Sequence, residues 1–211
     1  MKVALIGASG FIGSAILQEA LARGHDVTAL VTNPAKLPAA PRLTVLKADV
    51  LDTPALADRL AGLDAVISAF SGHAQADVRG YYGLGIRSVI AAARKAGMRL
   101  LVVGGAGSLE AAPGVLVVDT PSFPAQWRAS AEGARDALNL LRAQEALHWT
   151  MLSPSAVIEP GERTGQFRLG DDRLLVGADG RSRISTQDYA MAMIDELERP
   201  QHARRRFTVG Y

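Results

Sequence analysis

The chain has 211 residues, 48% of them hydrophobic, a formal net charge of +2 and no cysteine. That length and apolar content suit one domain, residues 1–211, with a sizeable core. The absence of cysteine excludes a disulfide framework and a thiolate metal site, and so mild a charge gives no argument for a nucleic-acid partner.

A short apolar run, Val3 to Ile6, predicts a strand over 2–6. Glycines follow at 7, 10 and 13, and a helix pattern runs over 11–22, with Ile12, Ile16 and Ala20 at fourfold spacing and Leu17 and Leu21 beside them. Strand, tight turn and helix in this order form a dinucleotide-binding unit. Gly7 turns the chain, Gly10 admits a diphosphate to the backbone, and Gly13 lets the helix pack close. The helix N-terminus adds unpaired N–H groups and a partial positive charge. The expected diphosphate set is Gly7, Ser9, Gly10, Phe11 and Ile12.

The second strand, 26–31, ends in Thr32-Asn33-Pro34-Ala35-Lys36, and no Asp or Glu occurs between Val27 and Ala48. A carboxylate for a ribose 2′-hydroxyl is therefore missing. Thr32, Asn33 and Lys36 can donate to a 2′-phosphate, which favours NADP, with NAD as the alternative. The same residues also read as plain turn chemistry. A third strand over 43–48 leads to Asp49 and Val50, which suit either an adenine contact or the cap of a turn. A helix over 54–61 and a strand over 65–70 follow. Ala69, Phe70 and Ser71 at that strand's end are expected beside the cofactor, and His73 just beyond is a candidate proton donor.

Ile86, Val89, Ile90 and Ala93 mark a helix over 79–96, closed by Gly97. The strand 99–103 ends at Gly104 and Gly105, where a ribose can approach the backbone. Ser108 then reads either as a substrate hydrogen-bonder or as a loop serine. In the loop DTPSFPAQW, Phe123 and Trp127 suit stacking on a planar ring or covering of the core. A helix over 125–146 and a strand over 149–153 come next, with Ser153 and Pro154 expected at the nicotinamide. Residues 159–185, rich in Gly, Asp and Arg, read as a substrate-side insertion with short strands at 164–169 and 173–176. A last helix spans 186–198, and Arg204-Arg205-Arg206 reads as a solvated face. Strands alternating with helices predict an α/β, Rossmann-type doubly wound parallel sheet with a small C-terminal substrate-side region.

Four scattered histidines, His25, His73, His148 and His202, show no metal-ligand spacing. No stretch approaches a membrane span, and Val3 to Ile6 is too short for a signal sequence. The expectation is a cytoplasmic monomer or homodimer acting on a small molecule, without metal, membrane or nucleic acid.

The GxxGxxG spacing leans toward the short-chain dehydrogenase/reductase type. The stretches IGASGFIG (6–13), LVTNPAKL (30–37), KADVLD (47–52), VVGGAGSL (102–109), DTPSFP (119–124), WTMLSPSAVIEPGERTGQFRLG (149–170) and GRSRISTQDYAMAMIDELE (180–198) extend the likeness along the whole chain. They resemble the atypical short-chain reductases grouped as NAD(P)H-binding or NADH-flavin reductase-like proteins, relatives of NmrA-like proteins and of biliverdin IXβ/flavin reductase. The resemblance implies a Rossmann core and a bound nicotinamide dinucleotide. Such sequences often carry Arg where this one has Thr32.

Many short-chain reductases use a Tyr-x3-Lys pair to move a proton. Lysine occurs here only at 2, 36, 47 and 95, never four positions after a tyrosine. Ketone reduction needs a proton donor at the carbonyl oxygen, whereas a flavin such as FMN takes hydride at a ring nitrogen and can draw its proton from water. The expected activity is hydride transfer from NAD(P)H to a planar acceptor such as flavin or quinone. The alternative is an NADP(H)-binding redox sensor of NmrA-like type, without turnover.

Overall fold

A computed structural model describes residues 1–211. The strand β1 (Lys2–Ile6) feeds the helix α1 (Phe11–Ala22), and β2 (Asp26–Val31) and β3 (Leu43–Lys47) follow. Then come α2 (Thr53–Leu60), β4 (Ala65–Ser68), α3 (Val78–Ala96) and β5 (Arg99–Val103). A hairpin of β6 (Glu110–Ala112) and β7 (Val115–Leu116) precedes α4 (Ala125–Arg142) and β8 (Trp149–Ser153). The remainder holds β9 (Val157–Glu159), β10 (Arg168–Gly170), β11 (Arg183–Ser185), α5 (Thr186–Glu198) and β12 (Arg205–Gly210).

Eight strands form the central sheet in the order β10-β12-β8-β5-β4-β1-β2-β3, and every pairing except β10 with β12 is parallel. The apolar runs of β1, β4 and β8 are buried because helices cover both faces. One face carries α1 packed on α5, with Ile16, Tyr189 and Ile194 in its core. The other carries α2, α3 and α4, with Leu56, Ile86 and Leu138 in its core. Neighbours of β1 lead off in opposite directions, to β2 and to β4, so the strand order reverses there and opens a crevice at the carboxyl edge. This is a Rossmann-like α/β fold.

The regular core follows the sequence pattern, and the differences lie at its margins. β4 ends at Ser68, two residues early, and α4 ends at Arg142, where Gln144 folds back to Leu141 O and Leu140 O. The strand expected over 164–169 shrinks to β10, and 173–176 is not a strand: Arg173 makes one isolated bridge to Glu110. The largest correction is β12. It pairs with β8 from Arg205↔Thr150 to Thr208↔Ser153 and buries Phe207 and Val209. Arg206 is therefore no part of a solvated face.

Candidate functional site

The turn from β1 into α1 is as tight as its glycines allow. Gly7 has φ +79°, and a Cβ there would lie 2.7 Å from Ala69 O. A Cβ at Gly13 would lie 2.1 Å from Gly7 O, so α1 packs directly on the turn. Gly10 caps α1 with extended backbone and no side-chain hydrogen bond. Ser14 donates to Gly10 O at 2.9 Å, which leaves the amides of Phe11, Ile12 and Gly13 at the open helix end. Ser9 is exposed, Phe11 is 58% exposed and Ile12 packs on the core. This is a cradle with donors and a favourable dipole for a diphosphate, and it fits a dinucleotide.

Past β2, Thr32, Asn33 and Lys36 are exposed. Asn33 Oδ1 accepts from Ala35 N at 3.1 Å, so its oxygen closes the turn. Lys36 stays free of salt bridges, and no carboxylate stands on this loop. Asp49 Oδ1 likewise accepts from Leu51 N at 2.9 Å, the capping arrangement, with its second oxygen left over. Val50 is drawn into the core with Leu56 and Leu60, so it offers little surface to an adenine ring.

After β4, Ala69 abuts Gly7, its carbonyl oxygen 2.7 Å from where a Cβ on Gly7 would stand. Phe70 instead turns into α3, with ring centroids 5.5 Å from Tyr81 and 5.8 Å from Tyr82, and it occupies the space a Cβ on Gly85 would need. Phe70 is a packing residue here. Ser71 and His73 are exposed, and the His73 ring meets Trp127 edge-on at 6.2 Å. Trp127, 54% exposed at the start of α4, brings a free aromatic face to the loop after β4. Phe123 has another fate: Arg128 lies 5.7 Å over its ring while donating to Val118 O at 2.9 Å, so it packs on its own loop.

Gly104 sits close to β8: a Cβ there would lie 2.8 Å from Met151 Cγ and 3.1 Å from Ser153 Oγ. Gly105 abuts Ala134 of α4. Both keep the loop low at the strand end, which leaves the backbone within a ligand's reach. Ser108, Ser153 and Pro154 are all buried. Arg206, itself buried, sends Nη1 to Ser108 Oγ at 3.3 Å and to Ser153 Oγ at 3.4 Å, and Nη2 to Ser108 O at 3.3 Å. Its Nε donates to Asp172 at 2.8 Å. Ser108 faces Gly105 O and Arg206, which makes it an anchor for its loop and removes it from the surface a substrate meets. Burial pulls the Arg206 guanidinium below its usual range and Asp172 opposes that shift. Arg206 therefore holds the loop after β5, through Ser108, and the 159–185 segment, through Asp172, on β12. Sequence reasoning missed this arginine because its neighbours Arg204 and Arg205 are exposed and disguise the alternation of a strand.

Residues 7–200 match the NAD(P)H-binding family model. The chain is 41% identical over 213 residues to the Bacillus subtilis protein YwnB, across 99% of this chain and 98% of that one. A solved structure from Bacteroides thetaiotaomicron, provisionally named an epimerase, aligns at 44% identity and TM-score 0.94, covering 100% of this chain and 96% of its own. Another from Streptococcus pneumoniae, provisionally named an NADH-flavin reductase, aligns at 36% identity and TM-score 0.85, covering 100% and 99%. With a glycine cradle, an open helix end and a sheet-edge crevice in place, the chain belongs to the NAD(P)H-binding family of oxidoreductase-like Rossmann proteins.

Proposed function

We propose that the protein is a cytoplasmic NAD(P)H-dependent reductase that passes hydride to a planar acceptor such as a free flavin or a quinone, with NADPH preferred. The observation that carries this reading is the open N-terminus of α1 behind the glycine turn, and the exposed Trp127 meeting the His73 ring edge-on beyond β4 adds an aromatic surface. A bound nicotinamide supplies the hydride. The chain's own residues bind the diphosphate through the first amides of α1, leave a 2′-phosphate free of carboxylate repulsion at Thr32 and Lys36, and offer Trp127 for stacking. The lack of a Tyr-x3-Lys pair suits an acceptor that needs orientation more than acid catalysis, and the provisional name of the pneumococcal relative points the same way.

The test is anaerobic oxidation of NADPH at 340 nm with FMN, with a soluble naphthoquinone and with no acceptor, on the parent and on Gly10→Glu. Gly10 has φ −81°, and a Cβ there meets only Gly7 O, at 3.2 Å, so the variant keeps its fold while its carboxylate repels the diphosphate. Acceptor-dependent turnover that vanishes in Gly10→Glu supports a reductase. Tight NADPH binding without turnover would replace this reading with that of a redox sensor.

A further inference from the structure

The glycine cradle stands at the end of β1, and β5 lies two strands along the sheet from it, past β4. At the usual strand spacing that is about 10 Å, a span that a ribose and its base cover from a diphosphate. The loop after β5 is therefore in reach of the nicotinamide half of a dinucleotide. Within that loop Gly104, Gly105 and Ala106 are half-buried, while Gly107, Ser108 and Leu109 are buried. The first three form the face left to a ligand.

The position of this face is set from two sides. On the α4 side, Ala134 stands against Gly105 and Ala131 against Gly107, where added Cβ atoms would lie 3.0 and 2.7 Å from the alanine Cβ atoms. On the sheet side stands Arg206 of β12. It shares a face with Met151, its register partner in β8, and Met151 is what a Cβ on Gly104 would strike. Every nitrogen of the guanidinium is engaged. Nε and Nη2 donate to Asp172, Nη2 also reaches Ser108 O, and Nη1 is shared between Ser108 Oγ and Ser153 Oγ. One planar group thus ties together the loop after β5, the last residue of β8 and the 159–185 segment. A guanidinium is costly to bury. What it supplies that an apolar side chain lacks is a rigid fork that fixes the spacing of three segments.

On the reductase reading given above, we propose that Arg206 is a positioning residue for hydride transfer. Through Ser108 and Ser153 it holds the Gly104–Ala106 face at the height that keeps the nicotinamide ring still and aimed at the acceptor. Arg206 is 6% exposed and acts from beneath the loop. The hydride and its electron pair pass from the reduced nicotinamide to the acceptor and a solvent proton follows, while Arg206 exchanges neither.

Arg206→Lys keeps a charge for Asp172 and gives up the fork. Time-resolved fluorescence anisotropy of bound NADPH reads the consequence without turnover. In the parent the nicotinamide should rotate only as the protein does, and in the variant a fast component, on the order of nanoseconds or shorter, should appear. NADPH affinity should stay within about twofold, because the amides of α1 are untouched. With the soluble naphthoquinone, kcat should fall roughly 10- to 10²-fold at nearly constant KM, the size of effect that a misplacement of about 1 Å can have. Ser108→Ala combined with Ser153→Ala removes the two hydroxyls, leaves the Arg206–Asp172 pair in place, and should move both readouts the same way. A role in stability alone would lower the melting temperature and leave the anisotropy decay of the folded protein as it was. That result in both variants overturns the proposal and leaves the reductase reading standing. A ring set loose in the variants of a protein that binds NADPH but reduces neither quinone nor FMN upholds the positioning and overturns the reductase reading. A parent that fails to bind NADPH overturns both.

Discussion

Gly7 and Gly10 stand three residues apart in one turn and answer to different forces. Gly7 is held at φ +79° with Ala69 O where a Cβ would go. Gly7→Ala therefore suffers strain and collision together, and urea unfolding should show a loss of about 2 kcal/mol or more. Gly10 is extended with room beside it, so Gly10→Ala should stay within about 1 kcal/mol of the parent. Thr32 is exposed at the end of β2, and Thr32→Arg adds a forked donor for a 2′-phosphate. Fluorescence titration should show the NADPH-over-NADH affinity ratio rise about tenfold, which is about 1.4 kcal/mol. An unchanged ratio would place position 32 away from the ribose. The glycines were legible in the sequence because their spacing sits between a strand and a helix, and few other turns need that spacing.

At the scale of elements, the junction of β12 with the loop after β5 and the 159–185 segment decides how firmly the carboxyl ends of β5 and β8 are held. Glu110 N donates to Asp172 O at 2.8 Å and Leu174 N to Glu110 O at 3.0 Å, and Arg206 clamps Asp172 from beneath. Arg206→Met should destabilise the protein by roughly 3 kcal/mol, the low end for a broken buried pair, because Asp172 is half exposed and water can solvate its carboxylate. Hydrogen exchange should show the amides of Glu110 and Leu174 losing protection while those of β1 keep theirs. Equal loss across the sheet would mean that Arg206 supports the whole core and not this junction. The eight-element alternation from β1 to β5 was visible from apolar runs and helical stripes alone. β12 was hidden because its first two residues are arginines, and β9 and β11 were hidden because three residues are too few to show a period. The buried environment of Ser108 and Ser153 depends on β12, so their anchoring role was hidden with it.

At the scale of the whole molecule, Glu19 ties α1 to two distant segments. It accepts from Arg23 Nε at 2.6 Å and from Arg163 Nε and Nη2 at 2.8 and 2.9 Å, and Arg23 continues to Asp195 of α5 at 2.6 Å. The hydrogen bond from Arg163 leads in holding the Glu19 carboxyl below its ordinary 4.5, against the opposing effect of burial. A depressed folded value means that the stabilisation is complete above pH 4.5 and fades as the pH falls through that value. Glu19→Gln should therefore lower the melting temperature at pH 7, with the gap to the parent narrowing below pH 4.5. A gap of constant size down to pH 3 would show that shape, not charge, is what Glu19 contributes.

The register of β12 has a consequence for synthesis. The ribosome makes this strand after every other strand of the sheet, yet it lies inside the sheet, between β8 and β10. A nascent chain can assemble the glycine cradle and the strands from β3 to β8 and still present β8 as a raw edge. The guanidinium that fixes Ser108 has not yet emerged. The glycine cradle is thus complete before the other half of the sheet edge exists, and the last strand to arrive completes that half.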